Sequence, residues 1–270
     1  MLCRKLISFS VTDLKGIRGL IKNNVFVYTV TGISVIGIVL CQWVIKFSDD
    51  AVLDGLIRQT ASEGFLALLV TMSFFAVNGR FFGERIGFLR TLWVVPCLLV
   101  AVANFPFFAL ITGKAQILYP QYIWLLVLRC ALVGFCEEVF FRGTVLSLLS
   151  GRLKGRGRLL KAVVISSAVF ALWHLFNLFG GGDLWATLLQ VGYTFLIGCM
   201  LAILALKTKT VVFGAVIHGA FNVGGQIVTD LGKGVFQDGV FWTCTAVAAV
   251  VATVFSVIML LSVIRREEAN

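Results

Sequence analysis

Long apolar runs parted by short charged segments set the pattern of this chain. Read between charges, eight runs stand out, at 25–45, 64–79, 91–113, 117–141, 162–180, 184–206, 208–229 and 240–264. An α-helix crosses about 30 Å of hydrocarbon with about 20 residues, so each run predicts a membrane-spanning helix. The runs are continuous, whereas the strands of a membrane barrel alternate over about ten residues. The expectation is therefore all-α: a polytopic membrane helix bundle of about eight transmembrane helices. The second run is short, at 16 residues before Arg80, and the fourth is interrupted by Arg129. Only Lys207, Thr208 and Lys209 part the sixth run from the seventh, which predicts a tight hairpin.

Composition agrees with that pattern. Of 270 residues 59% are hydrophobic and 13% charged, and the mean hydropathy is +0.99. A soluble domain is about 45–50% apolar and about 25% charged, so an ordinary soluble globule and a disordered tail are both excluded. A net charge of +10 sometimes marks a nucleic-acid binder. Here the excess sits in short loops beside the runs, and no nucleic-acid partner is expected. Eighteen of the 23 Lys and Arg fall in alternate segments, those before run 1, after run 8 and between runs 2 and 3, 4 and 5, and 6 and 7. The other loops hold only Lys46, Arg58, Lys114 and Lys233. By the positive-inside rule both termini are then cytoplasmic. Residues 1–24, with Arg4, Lys5, Lys15, Arg18 and Lys22 among apolar positions, read as a cytoplasmic amphipathic segment ahead of one membrane domain over 25–264. The seven cysteines lie mostly within runs and read as small apolar fillers, with no disulfide expected.

Ionisable groups inside the runs change the picture, because a charge at mid-bilayer costs roughly 2.5–3.5 kcal/mol. Run 4 ends in Glu137-Glu138 and then Arg142; run 5 carries Phe170, Trp173 and His174, then Asn177; run 7 carries His218, Phe221 and Asn222. His174 and His218 are the only two histidines in the chain. Glu138 and Arg142 are four apart on a helix and are expected to pair. Glu137, turned about 100° away, is left as the freer carboxylate. His218 and Asn222 present two polar groups to one side, which suits either a site or interhelical glue. Measured at about 1.5 Å per residue from the cytoplasmic face, Glu137, His174 and His218 fall at depths that permit one cavity in that half of the bilayer. Trp173, Phe170 and Phe221 read as packing, Asn177 as a cap or glue, and Arg129 as a structural pair or a snorkelling side chain.

Glu-Glu-x-x-x-Arg at 137–142, Phe-x-x-x-His at 170–174 and His-x-x-x-Asn at 218–222, in that order, resemble the CPBP family. That family includes the type II CAAX prenyl proteases and the Abi bacteriocin-immunity proteins. The resemblance covers roughly 90–230, the core that carries the motifs. It implies an intramembrane endopeptidase in which Glu137 and His174 activate water, His218 and Asn222 face the oxyanion, and Glu138 and Arg142 support them. Preorganised donors at an oxyanion are each worth about 2.7–4 kcal/mol, so the residue types suit the chemistry. No cofactor is required on this reading. The alternative is a divalent metal such as zinc held by Glu137, His174 and His218, with a fourth position open to water. The expected partners are the bilayer and a peptide, lipidated protein or membrane-protein substrate. The compact loops suggest a bacterial plasma membrane, with the site open toward the cytoplasmic half. Two other classes compete: a catalytically idle immunity or scaffold protein, and an ion-coupled transporter, although neither internal repeats nor matched broken helices are apparent.

Overall fold

The computed structural model describes residues 24–76, 91–155 and 157–268. The predicted amphipathic segment lies, but for Asn24, outside the described residues, as does the end of the second run.

The described chain is a bundle of helices whose outer surface is apolar. Tyr28, Trp43, Ile111, Trp124, Leu196 and Val250 are all more than 60% exposed, an arrangement that hydrocarbon favours and water does not. Helix α1 (Asn24–Val39) runs into a π-helical turn at Leu40–Val44. Helix α2 (Ala51–Ala76) begins where Asp50 Oδ1 accepts from the amides of Val52 and Leu53, satisfying donors that a helix start leaves free. Helix α3 (Val94–Ala103) and the short α4 (Phe107–Ile111) follow, then strand β1 (Ala115–Ile117). Helix α5 (Ile123–Glu138) continues through a π-helical segment, Val139–Leu146, into α6 (Ser147–Arg152). Helix α7 (Arg158–Trp173) tightens into a three-ten helix over His174–Gly180. Helix α8 (Leu184–Thr208) is capped by Asp183, whose carboxylate accepts from the Ala186 amide. Helix α9 (Val212–Leu231), strand β2 (Gly232–Gly234) and helix α10 (Gly239–Glu268) complete the chain.

Among the described residues five segments are long and apolar enough to cross a membrane: Val25–Val44, Arg158–Gly180, Leu184–Thr208, Val212–Leu231 and Gly239–Arg265. The all-α polytopic bundle stands, and four details differ from the sequence reading. Run 91–113 is not one helix, because Pro106 lacks the N–H a helix needs; the break at Asn104–Pro106 is held by Asn104 Nδ2 donating to the Phe221 carbonyl at 2.7 Å. Run 117–141 opens at the end of β1, passes a three-ten turn at Pro120–Tyr122 and becomes α-helical only at Ile123. Its helix passes Arg142 and ends at Arg152, so Arg142 lies in a helix interior rather than at an end. The Lys207-Thr208-Lys209 turn is recessed: Lys207 is buried against the Trp93 ring at 4.8 Å and bonded to Ser262, and Thr208 is fully buried.

Among the described residues the one sheet is a small antiparallel ribbon. It pairs Ala115 with Gly234, Gln116 with Lys233 and Ile117 with Gly232, and it joins the start of α5 to the end of α9. Those two helices cross closely. A Cβ at Gly134 would meet Ala215 O and Gly219 N, each at 2.7 Å, so only glycine lets the two backbones approach this far. The site is built on that crossing.

Candidate active site

Helices α5 and α9 bring the two acidic residues to His218. Glu138 and Arg142 are each about 1% exposed, and Arg142 Nη1 lies 2.8 Å from Glu138 Oε1. This is the pair expected from their spacing. Gly214 of α9 makes room for it, since a Cβ there would stand 2.9 Å from Glu138 Oε2. The same Glu138 Oε1 lies 3.1 Å from His218 Nδ1. A carboxylate only accepts, so this contact puts the Nδ1 proton toward Glu138 and turns Nε2 toward Glu137, whose Oε2 is 3.4 Å away.

Phe170 of α7 stands between the two histidines. Its ring is nearly perpendicular to His218, at 5.7 Å, and to His174, at 5.0 Å. The guanidinium of Arg142 lies over the same ring, 4.3 Å from its centroid, a favourable cation–π placement, and Arg142 Nη2 also donates to the Gly198 carbonyl of α8 at 3.3 Å. The sequence reading had Phe170 as packing; the structure makes it the wall that orients three charged or polar groups. His174 Nδ1 is 3.0 Å from the Phe170 carbonyl. A carbonyl only accepts, so Nδ1 carries the proton and Nε2 keeps its lone pair.

Two backbone irregularities fall at this point. The π-helical segment starts right after Glu138, and the three-ten helix starts at His174; π-bulges recur at functional sites. Glu137 Oε2 and Glu138 Oε2 are buried with no hydrogen-bond partner among the described residues. Buried polar oxygens normally have one, which makes these two the natural seat for a water or a substrate donor. Asn222, one turn beyond His218, is half-buried.

Two further residues come near the site unannounced by the sequence. Tyr193 of α8 packs its ring 6.1 Å from Phe221, the neighbour of Asn222. Glu63 of α2 stands beside α5, where its backbone carbonyl accepts from Cys136 Sγ, next to Glu137, at 3.6 Å. The signal for Glu63 was the shortness of the second run, which left it just outside; Tyr193, an aromatic among apolar neighbours, gave none. Arg129 has the partners that the sequence left unnamed: it donates to Gln59, Gln226 and Asp230. Among the described residues no group of three or more His, Cys, Asp and Glu is arranged to hold a metal ion.

Residues 119–224 match the family model of the type II CAAX prenyl endopeptidases, described as Rce1-like. The matched stretch contains Glu137, Glu138, Arg142, His174, His218 and Asn222, and the match agrees with the resemblance to the CPBP family. At the coarse level the match supports a membrane protease. No curated protein and no solved structure matches the chain.

Proposed function

We propose that this membrane protease domain hydrolyses a peptide bond within the bilayer, with Glu137 as general base. The observation that carries the reading is the pair of buried carboxylate oxygens without donors, at Glu137 and Glu138, set against a histidine whose other nitrogen is already engaged. Glu137 takes a proton from a bound water, assisted by the lone pair on His174 Nε2, and the resulting hydroxide attacks the scissile carbonyl carbon. The oxyanion meets the His218 ring and the Asn222 amide. Glu137 then returns the proton to the leaving amine as the C–N bond breaks. Glu138 and Arg142 hold His218 in place. No step passes through a metal, and activity is expected to survive exhaustive chelation; loss on chelation with recovery on adding zinc assigns Glu137, His174 and His218 to a metal instead.

The matched family makes a prenylated carboxy-terminal peptide the first substrate class to test. We place the site toward the cytoplasmic half of an eight-span bundle, in a bacterial plasma membrane. The test is terminal proteomics on membranes of cells carrying the unsubstituted protein or Glu137→Ala. New protein termini present only with the unsubstituted protein are expected. Identical sets of termini contradict a protease and favour the immunity or scaffold reading.

A further inference from the structure

A second polar row lies beside the charged cluster, on the three-ten helix and the start of α8. Residues three apart in a three-ten helix share one edge, about 6 Å apart, so His174 and Asn177 line up. Gln190 and Tyr193 share a face of α8. Asn177 Nδ2 donates to Gln190 Oε1 at 2.9 Å, which joins the two rows. Tyr193 continues the line along α8, with its ring 6.1 Å from Phe221, the neighbour of Asn222. The amide pair and Tyr193 therefore lie on the side of α8 that leads toward the site.

That pair has capacity to spare. Each side-chain amide offers two donor and two acceptor positions. Their mutual bond leaves Asn177 Oδ1 and Gln190 Nε2 with no partner among the described residues. Around them stand exposed apolar side chains, Phe176, Phe179, Leu188 and Leu189, where an unmatched amide is costly. A tether for the turn is not needed here. The turn is already closed by the Gly182 amide donating to the Asn177 carbonyl at 2.9 Å and by the Asp183 cap.

An extended peptide inside a bilayer faces the complementary problem, since its N–H and C=O groups have no water. We propose that Asn177 and Gln190 form the subsite that holds the substrate backbone: Asn177 Oδ1 accepts from a peptide N–H and Gln190 Nε2 donates to a peptide carbonyl. An extended chain advances about 3.3 Å per residue, so the spacing from His174 to Asn177 puts this contact about two residues from the scissile bond. The inference rests on the endopeptidase reading.

The test uses the full-length protein in lipid nanodiscs and a farnesylated peptide with a Cys-aliphatic-aliphatic-X end. In a series of analogues, one amide at a time other than the scissile one is replaced by an ester, which removes the N–H and keeps the shape. The ester about two residues from the cut should lower kcat/KM about tenfold in the unsubstituted protein, the worth of one well-placed hydrogen bond. In Asn177→Leu the same ester should cost nothing further, and Gln190→Met should lower kcat/KM to a similar degree while KM bears most of the change. Melting temperature confirms that each variant is folded. If a variant does not fold, the ester series on the unsubstituted protein decides alone, and a flat series overturns the proposal. Turnover with ester penalties equal in Asn177→Leu and the unsubstituted protein overturns the subsite only. No turnover by the unsubstituted protein overturns the endopeptidase reading and the subsite with it.

Discussion

Two polar clusters lie on the same helix pair, α5 and α9, on either side of the Gly134 crossing, and they are finished differently. At one end Arg129 donates to acceptors on α2 and α9: Gln59, Gln226 and Asp230. At the other end Arg142, Glu138, Glu137 and His218 are as deeply placed, yet two carboxylate oxygens are left without donors. A cluster that serves structure closes its hydrogen bonds, because each unmet group costs about 1–3 kcal/mol. A cluster that serves chemistry keeps acceptors open for the reactant. The contrast is the one that the proposed division of roles requires.

The largest effect that sharpens this contrast is at His174. His174→Ala should lower turnover by roughly 10²–10⁴, the usual worth of a positioned acid–base group, with the melting temperature unchanged. His218→Ala and Asn222→Ala should each lower it by roughly 10²–10³ per donor lost. Within the pair Glu138 and Arg142 the effect should be on stability. Glu138→Gln leaves a buried guanidinium without its counter-ion and should cost about 3–5 kcal/mol, read as a fall in the unfolding midpoint. Arg129→Met should cost less, about 1–3 kcal/mol, because Asp230 keeps 30% of its side chain exposed. An Arg129→Met protein that is stable but inactive would break the division between the clusters.

The smallest effect is on the loop face. Asp50 is held below its ordinary value, first by the Tyr122 hydroxyl and then by the Leu53 amide. Asp238 is held below its own, first by the hydrogen bond from Lys114. A carboxylate so lowered contributes stability above its unfolded value and loses it as pH falls through the folded one. Acidification below about pH 4 should therefore speed hydrogen exchange at the Val52, Leu53, Val240 and Phe241 amides, while α5 and α9 stay protected.

The sequence carried the helices because hydrocarbon length and charge placement write themselves into a chain at short range. It carried the Glu138–Arg142 pair for the same reason, since four residues on one helix fix a distance. Contacts across the bundle were not legible in that way. Nothing near Arg129 points to Gln226 or Asp230, about a hundred residues away, and Tyr193 looks like any aromatic in an apolar run. The π-helical segment after Glu138 was equally hidden. Val139–Leu146 packs against α2 and α7, and the segment keeps the helix going past the charge at which an apolar run must be cut. The break at Asn104–Pro106 was written in the sequence, but run 91–113 reads straight through it when only charges mark the ends.

The most direct test of the account compares Glu137→Gln with Glu138→Gln, purified in nanodiscs and assayed on the farnesylated peptide beside the unsubstituted protein, with melting curves on all three. Glu137 holds the open oxygen nearest His218 Nε2, so Glu137→Gln should melt like the unsubstituted protein and lose turnover by at least about 10². Glu138→Gln should melt lower and keep a larger share of its activity per folded molecule. A folded, inactive Glu138→Gln beside an active Glu137→Gln contradicts the assignment of the base.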